Sequence, residues 1–212
     1  MKIAIIGAGG RMGRLLTAEA LGRGHEVLAV VRRKAEDVDA RAYVMLRDLY
    51  DLTYKDLKGW STVIDAFGVW EKDRLGEHVT SLRHLANLLA DKPERLIVVG
   101  SAGSLYVDKA HKQRLLDSPL MPKEYLPLST AMTAAFDELR GRKDVRWTYL
   151  SPPGVFDADG ARTGKYRAGR DELLLNAKGE SRISYADAAI ALIDEAESRT
   201  RVRMRFTVAD AE

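Results

Sequence analysis

The stretch Gly7-Ala-Gly-Gly-Arg-Met-Gly13 narrows the fold more than anything else in the chain, because of what flanks it. Before it, residues 2–6 form a short β-branched run without polar alternation, the pattern of a strand covered on both faces. After it, Met12, Leu15, Leu16 and Ala20 share one side of a helix that ends near Gly22-Arg-Gly24, where glycine suits a C-cap. Residues 26–31 are a second apolar run. Strand, glycine turn, helix and strand inside about 30 residues is the setting that a dinucleotide-binding turn requires.

The glycine spacing departs from G-x-G-x-x-G, since Met12 stands where the last glycine would fall; Gly7, Gly10 and Gly13 give G-x-x-G-x-x-G instead. Gly7 suits the tight exit from the strand. Gly10 lets backbone approach a pyrophosphate at the helix N-terminus, and Gly13 lets the helix pack close. The second strand ends in Val31-Arg32-Arg33. An NAD site would place a carboxylate there for the ribose 2′-hydroxyl, whereas two arginines suit a 2′-phosphate and stack on adenine. NADP(H) is therefore the expected cofactor, with NAD(H) as the alternative and solvated loop arginines as the plain reading.

The alternation continues. Residues 42–46 read as a third strand followed by Arg47-Asp48-Leu49, where Asp48 is placed to reach adenine; residues 62–66 read as a fourth that opens into Phe67-Gly68. A helical stripe spans 75–89, strands five and six fall at 95–100 and 145–150, and Ser184-Tyr-Ala-Asp187 resembles a capping box before a helix to residue 197. Val202, Met204, Phe206 and Val208 alternate with polar neighbours, which predicts a half-buried last strand at a sheet edge. With no repeat or linker, residues 1–212 read as a single domain. The expected fold is α/β: a Rossmann-like doubly wound, mostly parallel sheet of about seven strands, helices on both faces, and a small C-terminal substrate hairpin.

With these pieces placed, the chain resembles the atypical short-chain dehydrogenase/reductase superfamily. Within it, the likeness is to small NADH-flavin reductase-like proteins, neighbours of the biliverdin reductase B-like and redox-sensor proteins. The stretches that carry it are the glycine turn, Val99-Gly-Ser-Ala-Gly-Ser-Leu105, Trp147-Thr-Tyr-Leu-Ser-Pro-Pro-Gly-Val-Phe156, Arg162-Thr-Gly-Lys-Tyr-Arg167 and Ile183-Ser-Tyr-Ala-Asp187. The resemblance implies NADP(H) across the carboxyl ends of the strands and reduction of a flavin or a similar flat acceptor. The positions expected to hold the cofactor are Gly7, Gly10, Arg11, Met12, Gly13, Arg32, Arg33, Asp48, Leu49, Ala66, Phe67, Gly68, Ser101, Pro152 and Pro153.

Carbonyl-reducing members of the superfamily use a Tyr-x-x-x-Lys pair, the lysine lowering the tyrosine pKa. Tyr54-Lys-Asp-Leu-Lys58 matches the spacing but precedes the fourth strand, whereas the pair belongs on the helix after the fifth. In that later region Tyr125-Leu-Pro-Leu-Ser129 has no lysine at the required place. Hydride transfer to a flavin needs no such pair, only stacking, exclusion of water and a donor at the flavin edge. Ser101 is the candidate catalytic side chain, a turn serine being the plain alternative. Pro152 and Pro153 are expected at the nicotinamide face, and a 104–128 loop with a 162–183 hairpin as a substrate lid. Arg162, Lys165 and Arg167 either meet an acceptor phosphate such as that of FMN or are simply solvated.

Composition removes rivals. There are no cysteines, so thiolate catalysis, zinc–thiolate sites and Fe–S clusters are out. Lys+Arg 34 against Asp+Glu 31 gives a net charge of +3 with dispersed bases, which argues against a nucleic-acid partner. The four histidines lack metal-ligand spacing, so no metal is expected. No apolar run approaches the roughly 20 residues of a membrane span, and no signal peptide pattern opens the chain; a cytoplasmic monomer or homodimer is expected. Two other readings stay open: a non-catalytic NADP(H)-binding redox sensor, and an epimerase or dehydratase-like enzyme.

Overall fold

A computed structural model describes residues 1–33 and 38–211. In chain order the elements are β1 (Lys2–Ile6), α1 (Arg11–Gly22), β2 (Glu26–Val31), β3 (Tyr43–Leu46), α2 (Tyr54–Leu57), β4 (Thr62–Asp65), α3 (Glu77–Leu88) and β5 (Arg95–Val99). They continue with α4 (Leu126–Leu139), β6 (Arg146–Ser151), β7 (Val155–Asp157), β8 (Tyr166–Gly169), β9 (Arg182–Ser184), α5 (Tyr185–Ser198) and β10 (Met204–Asp210).

Ile3, Ala4, Ile5 and Ile6 are all buried, and a strand apolar on both faces needs neighbours on both sides and cover above and below. β1 has both: it pairs in parallel with β2 and with β4. The main sheet runs β3-β2-β1-β4-β5-β6-β10-β8, parallel except for β8, which is antiparallel to β10. The chain winds outward from β1 to β3, returns to β4 across β1, and winds outward again. That reversal between β1 and β4 leaves a crevice at their carboxyl ends. One face is covered by α1 and α5, through Leu16, Ala20, Leu192 and Ile193, and the other by α3 and α4, through Leu82, Leu85, Phe136 and Leu139.

The fold is thus the expected doubly wound one, with four corrections. The main sheet has eight strands rather than about seven, and β7 and β9 form a separate parallel pair. The last strand is no edge: β10 lies between β6 and β8, and Arg205 and Thr207, which alternation placed toward water, are buried. The buried Arg205 guanidinium is matched by Asp171 and by the carbonyl and hydroxyl of Ser104. Finally, residues 162–183 are not a hairpin. The turn at 176–179 is present, with Asn176 Oδ1 accepting from Lys178 N and Glu180 N, but its arms part company. β8 pairs with β10 and β9 with β7, because each arm finds a longer-range partner. The 126–139 helix also begins inside what reads as a loop in the sequence.

At the amino end of β5 a buried ion pair locks the sheet to α5. Arg95 and Glu195 are almost fully covered and bonded to each other; Arg95 also donates to Glu195 O and Thr148 Oγ1, while Arg201 and Thr200 fill the remaining carboxylate oxygen. Removing one partner of such a pair strands the other in a dry site. We expect Arg95→Ala to lose about 3–5 kcal/mol of stability in urea unfolding, without a change in m-value.

Candidate functional site

The site is built from the exits of the parallel strands. After β1 the backbone turns at Gly7, whose φ is +78°, a region that side chains avoid. A Cβ there would also lie 2.9 Å from Ala66 O, so β1 and β4 can approach this closely only at glycine. A Cβ on Gly13 would overlap Gly7 O and come within 2.6 Å of Ala8 Cα; α1 therefore packs on the turn by its own backbone. Gly10 is exposed and meets only Gly7 O, at 3.3 Å, which leaves its outer side clear. Helix α1 starts with no side-chain cap and no acidic residue in its first turn, so its free N–H groups and positive dipole end face outward unopposed. A cradle of this kind fits the pyrophosphate of a dinucleotide.

The other expected contacts surround this turn unevenly. Arg32 and Arg33 are exposed directly after β2, and Arg32 acts electrostatically on Glu71 and Glu77. Asp48 caps the turn that follows it, accepting from Tyr50 N at 3.0 Å. Leu49 and Met12 are buried in the two cores, and the Phe67 ring lies edge-on to His78, so Ala66–Gly68 presents main chain rather than side chains to the crevice. Arg11 is exposed and 4.0 Å from Asp159. Ser101 follows β5 with its hydroxyl buried and unpartnered, and Pro152 and Pro153 follow β6, largely covered.

Tyr54 is elsewhere. Its hydroxyl donates to Glu94, which also accepts from Gly59 N, at the amino ends of β4 and β5 and so at the opposite edge of the sheet. Helix α4, which follows β5, carries neither tyrosine nor lysine.

The segments expected to cover the site are knitted together. Tyr106 N donates to Asp171 O, Leu173 N donates to Tyr106 O, and Arg205 holds both Asp171 and Ser104. Asp187, fully buried, accepts from Thr163 N, Thr163 Oγ1 and Gly164 N. The Ser184 hydroxyl caps Asp187 N, so only half of the expected capping box forms and its carboxylate is spent on the 163–164 turn. Arg162 pairs with Glu19 across 143 residues of chain, and Arg167 donates to Leu175 O. Among the described residues no cluster of three metal-ligating side chains exists, and no helix is long and apolar enough to cross a membrane.

Sequence reasoning passed over four residues here. Asp65 ends β4 with its carboxyl buried; Oδ1 accepts from Phe67 N at 3.0 Å, and burial raises its pKa to about 7. His78 donates from Nε2 to Val69 O, and burial lowers its pKa, which keeps it neutral. Tyr149 is buried and its pKa driven upward by desolvation; its ring lies where a Gly100 Cβ would be. Trp70, two residues past Gly68, is 65% exposed. Only Trp70 carried a readable signal, an aromatic just beyond the switch-point strand.

A family model described as NAD(P)H-binding matches residues 7–196. The chain belongs to this NAD(P)H-binding family, of the atypical short-chain dehydrogenase/reductase type. YwnB of Bacillus subtilis, an uncharacterised protein, is 44% identical over 210 residues and 98% of both chains. A Streptococcus pneumoniae structure provisionally described as an NADH-flavin reductase superposes with TM-score 0.95 at 40% identity, over 99% of both chains. A Bacteroides thetaiotaomicron structure provisionally described as an epimerase gives 0.86 at 34% identity, over 100% of this chain and 97% of that one.

If this turn holds the nucleotide, its dependence on contacts that no side chain tolerates means that Gly13→Ala should weaken NADPH binding at least tenfold, at least about 1.4 kcal/mol. Fluorescence titration, with circular dichroism to check that the variant folds, reads this directly.

Proposed function

We propose that the chain is an NAD(P)H-dependent reductase that delivers hydride to a flavin or similar flat acceptor, with NADP(H) the preferred cofactor. The observation that supports this reading is a glycine turn with an uncapped helix end at the strand crossover, combined with a Tyr-x-x-x-Lys sequence held at the other edge of the sheet on Glu94. The provisional description of the Streptococcus relative points the same way.

In this reading, Gly10 and the first turn of α1 hold the pyrophosphate, Arg32 and Arg33 the 2′-phosphate, and the main chain of residues 66–68 the adenosine side of the crevice. Asp48 lies beside adenine, and Ser101, Pro152 and Pro153 bound the nicotinamide. The bound cofactor supplies hydride, and the protein's part is to stack, orient and keep water out. The 104–128 and 162–183 segments form the cover over the acceptor, with Ser101 as hydrogen-bond donor to it.

Stopped-flow mixing of the NADPH-loaded protein with FMN, FAD and riboflavin is expected to show accelerated NADPH oxidation with at least one of them; no acceleration with any sinks the reading. Tight nucleotide binding without turnover is instead what a redox sensor predicts, and the Bacteroides relative makes sugar-nucleotide binding the outcome that favours an epimerase. Changing Arg32 and Arg33 together to alanine is expected to weaken NADPH by about 1–3 kcal/mol while sparing NADH. Equal losses for both nucleotides, measured by calorimetry, refute the phosphate role.

A further inference from the structure

Reduction by hydride leaves an acceptor one negative charge richer, and a covered site has no bulk water at hand to neutralise it. The chain has a buried acid close to this point. Asp65 is one residue before Ala66, whose carbonyl abuts Gly7. The groups acting on its carboxyl are the surrounding protein, which desolvates it, and the Phe67 N–H; no cation pairs with it among the described residues. Beside it is a cavity lined by Asp65, Phe67, His78, Ser81, Val99 and Tyr149, with about 10 Å³ for the centre of a water, the room of one molecule. The wall is polar where it matters: Ser81 Oγ is buried without a partner. On the far side, the Tyr149 hydroxyl lies against Gly100, the residue before Ser101, and donates to Met132 O at 3.3 Å. Ser101 Oγ, likewise buried and unpartnered, follows β5 at the proposed acceptor position.

We propose that Asp65 is the proton store of the reduction, linked through a water in this cavity and the Tyr149 hydroxyl to the acceptor bound at Ser101. This rests on the reductase reading. Each turnover consumes one hydride from NAD(P)H and one proton from Asp65, giving NAD(P)⁺, the neutral reduced acceptor and an Asp65 carboxylate, which solvent reprotonates before the next turnover. The groups facing Asp65 leave it to act alone as an acid. From α3 come neutral His78 and Ser81, from β6 Tyr149, from β5 Val98 and Val99, and from α4 Met132 and Ala135. In the relay the Tyr149 hydroxyl turns from Met132 O to the acceptor, gives it the hydroxyl proton and takes one from the cavity water, which takes one from Asp65. Its raised pKa leaves it protonated before and after, so it relays rather than stores.

Two measurements test this, one of them independent of turnover. In the free protein, the Phe67 amide, bonded to Asp65 Oδ1, should titrate in nitrogen–proton correlation spectra with a midpoint near pH 7, and should not do so in Asp65→Asn, which preserves the acceptor oxygen. A flat wild-type amide between about pH 5.5 and 8.5 overturns the proposal. In single turnovers with bound NADPH and FMN, the wild-type rate should fall as pH rises through 7, since only the protonated acid donates. Asp65→Asn should be about tenfold slower and flat with pH, its NADPH affinity kept, and Tyr149→Phe slower with the wild-type midpoint. A wild-type rate that is present but independent of pH, or a Tyr149→Phe variant at full speed, overturns the proton path alone. No flavin reduction by the wild type at any pH overturns the reductase reading, and the proposal falls with it.

Discussion

Everything at the functional end of this protein depends on three backbones meeting where β1 ends. The exit of β1, the first turn of α1 and the exit of β4 come together at Gly7, Gly13 and Ala66, and a Cβ at either glycine would strike main chain. Backbone cannot yield as a flexible side chain does, so the contact is all or nothing. What it secures is a helix end without a cap or an acid, aimed into the crevice formed by the reversal of strand order. The orphan N–H groups at that helix end have no side-chain cap of their own, the condition under which a helix end suits an anion.

The opposite rim is held by polar contacts between residues far apart in sequence. Arg205 bonds Ser104 and Asp171, and Asp187 bonds the 163–164 turn, so three loops are fixed by two buried charged residues. Each of these groups carries a desolvation cost that only a full set of partners offsets. The loops around the proposed acceptor position are therefore shaped by β10 and α5, elements that come last in the chain.

That division explains what could be read in the sequence. The glycine turn, the two-face burial of β1 and the crossover are local or periodic, and so the doubly wound class and the position of the crevice are legible at residues 2–31. Partner choice is not. Residues 166–169 and 182–184 look like two arms of one hairpin because the turn at Asn176 is locally correct, yet β10 and β7 offer them better pairing. Alternation in 202–208 suggests an edge strand because Arg205 reads as a solvent-facing charge; its partners lie more than thirty residues away in the chain, where no pattern reveals them. Asp65 reads as part of an apolar strand for the same reason. Its burial is a property of α3, α4 and β6 closing over it.

The charges at the end of β2 show why a residue pattern alone does not set nucleotide preference. Backbone N–H groups hold the Glu71 carboxyl below the usual range and Arg74 does so for Glu77, with Arg32 adding a smaller attraction to each. A 2′-phosphate placed there would share Arg32 with those carboxylates and feel their repulsion. Both arginines are exposed, where salt screens charge–charge interactions beyond about 10 Å. Any attraction that Arg32 offers a 2′-phosphate would therefore be offset in part by Glu71 and Glu77.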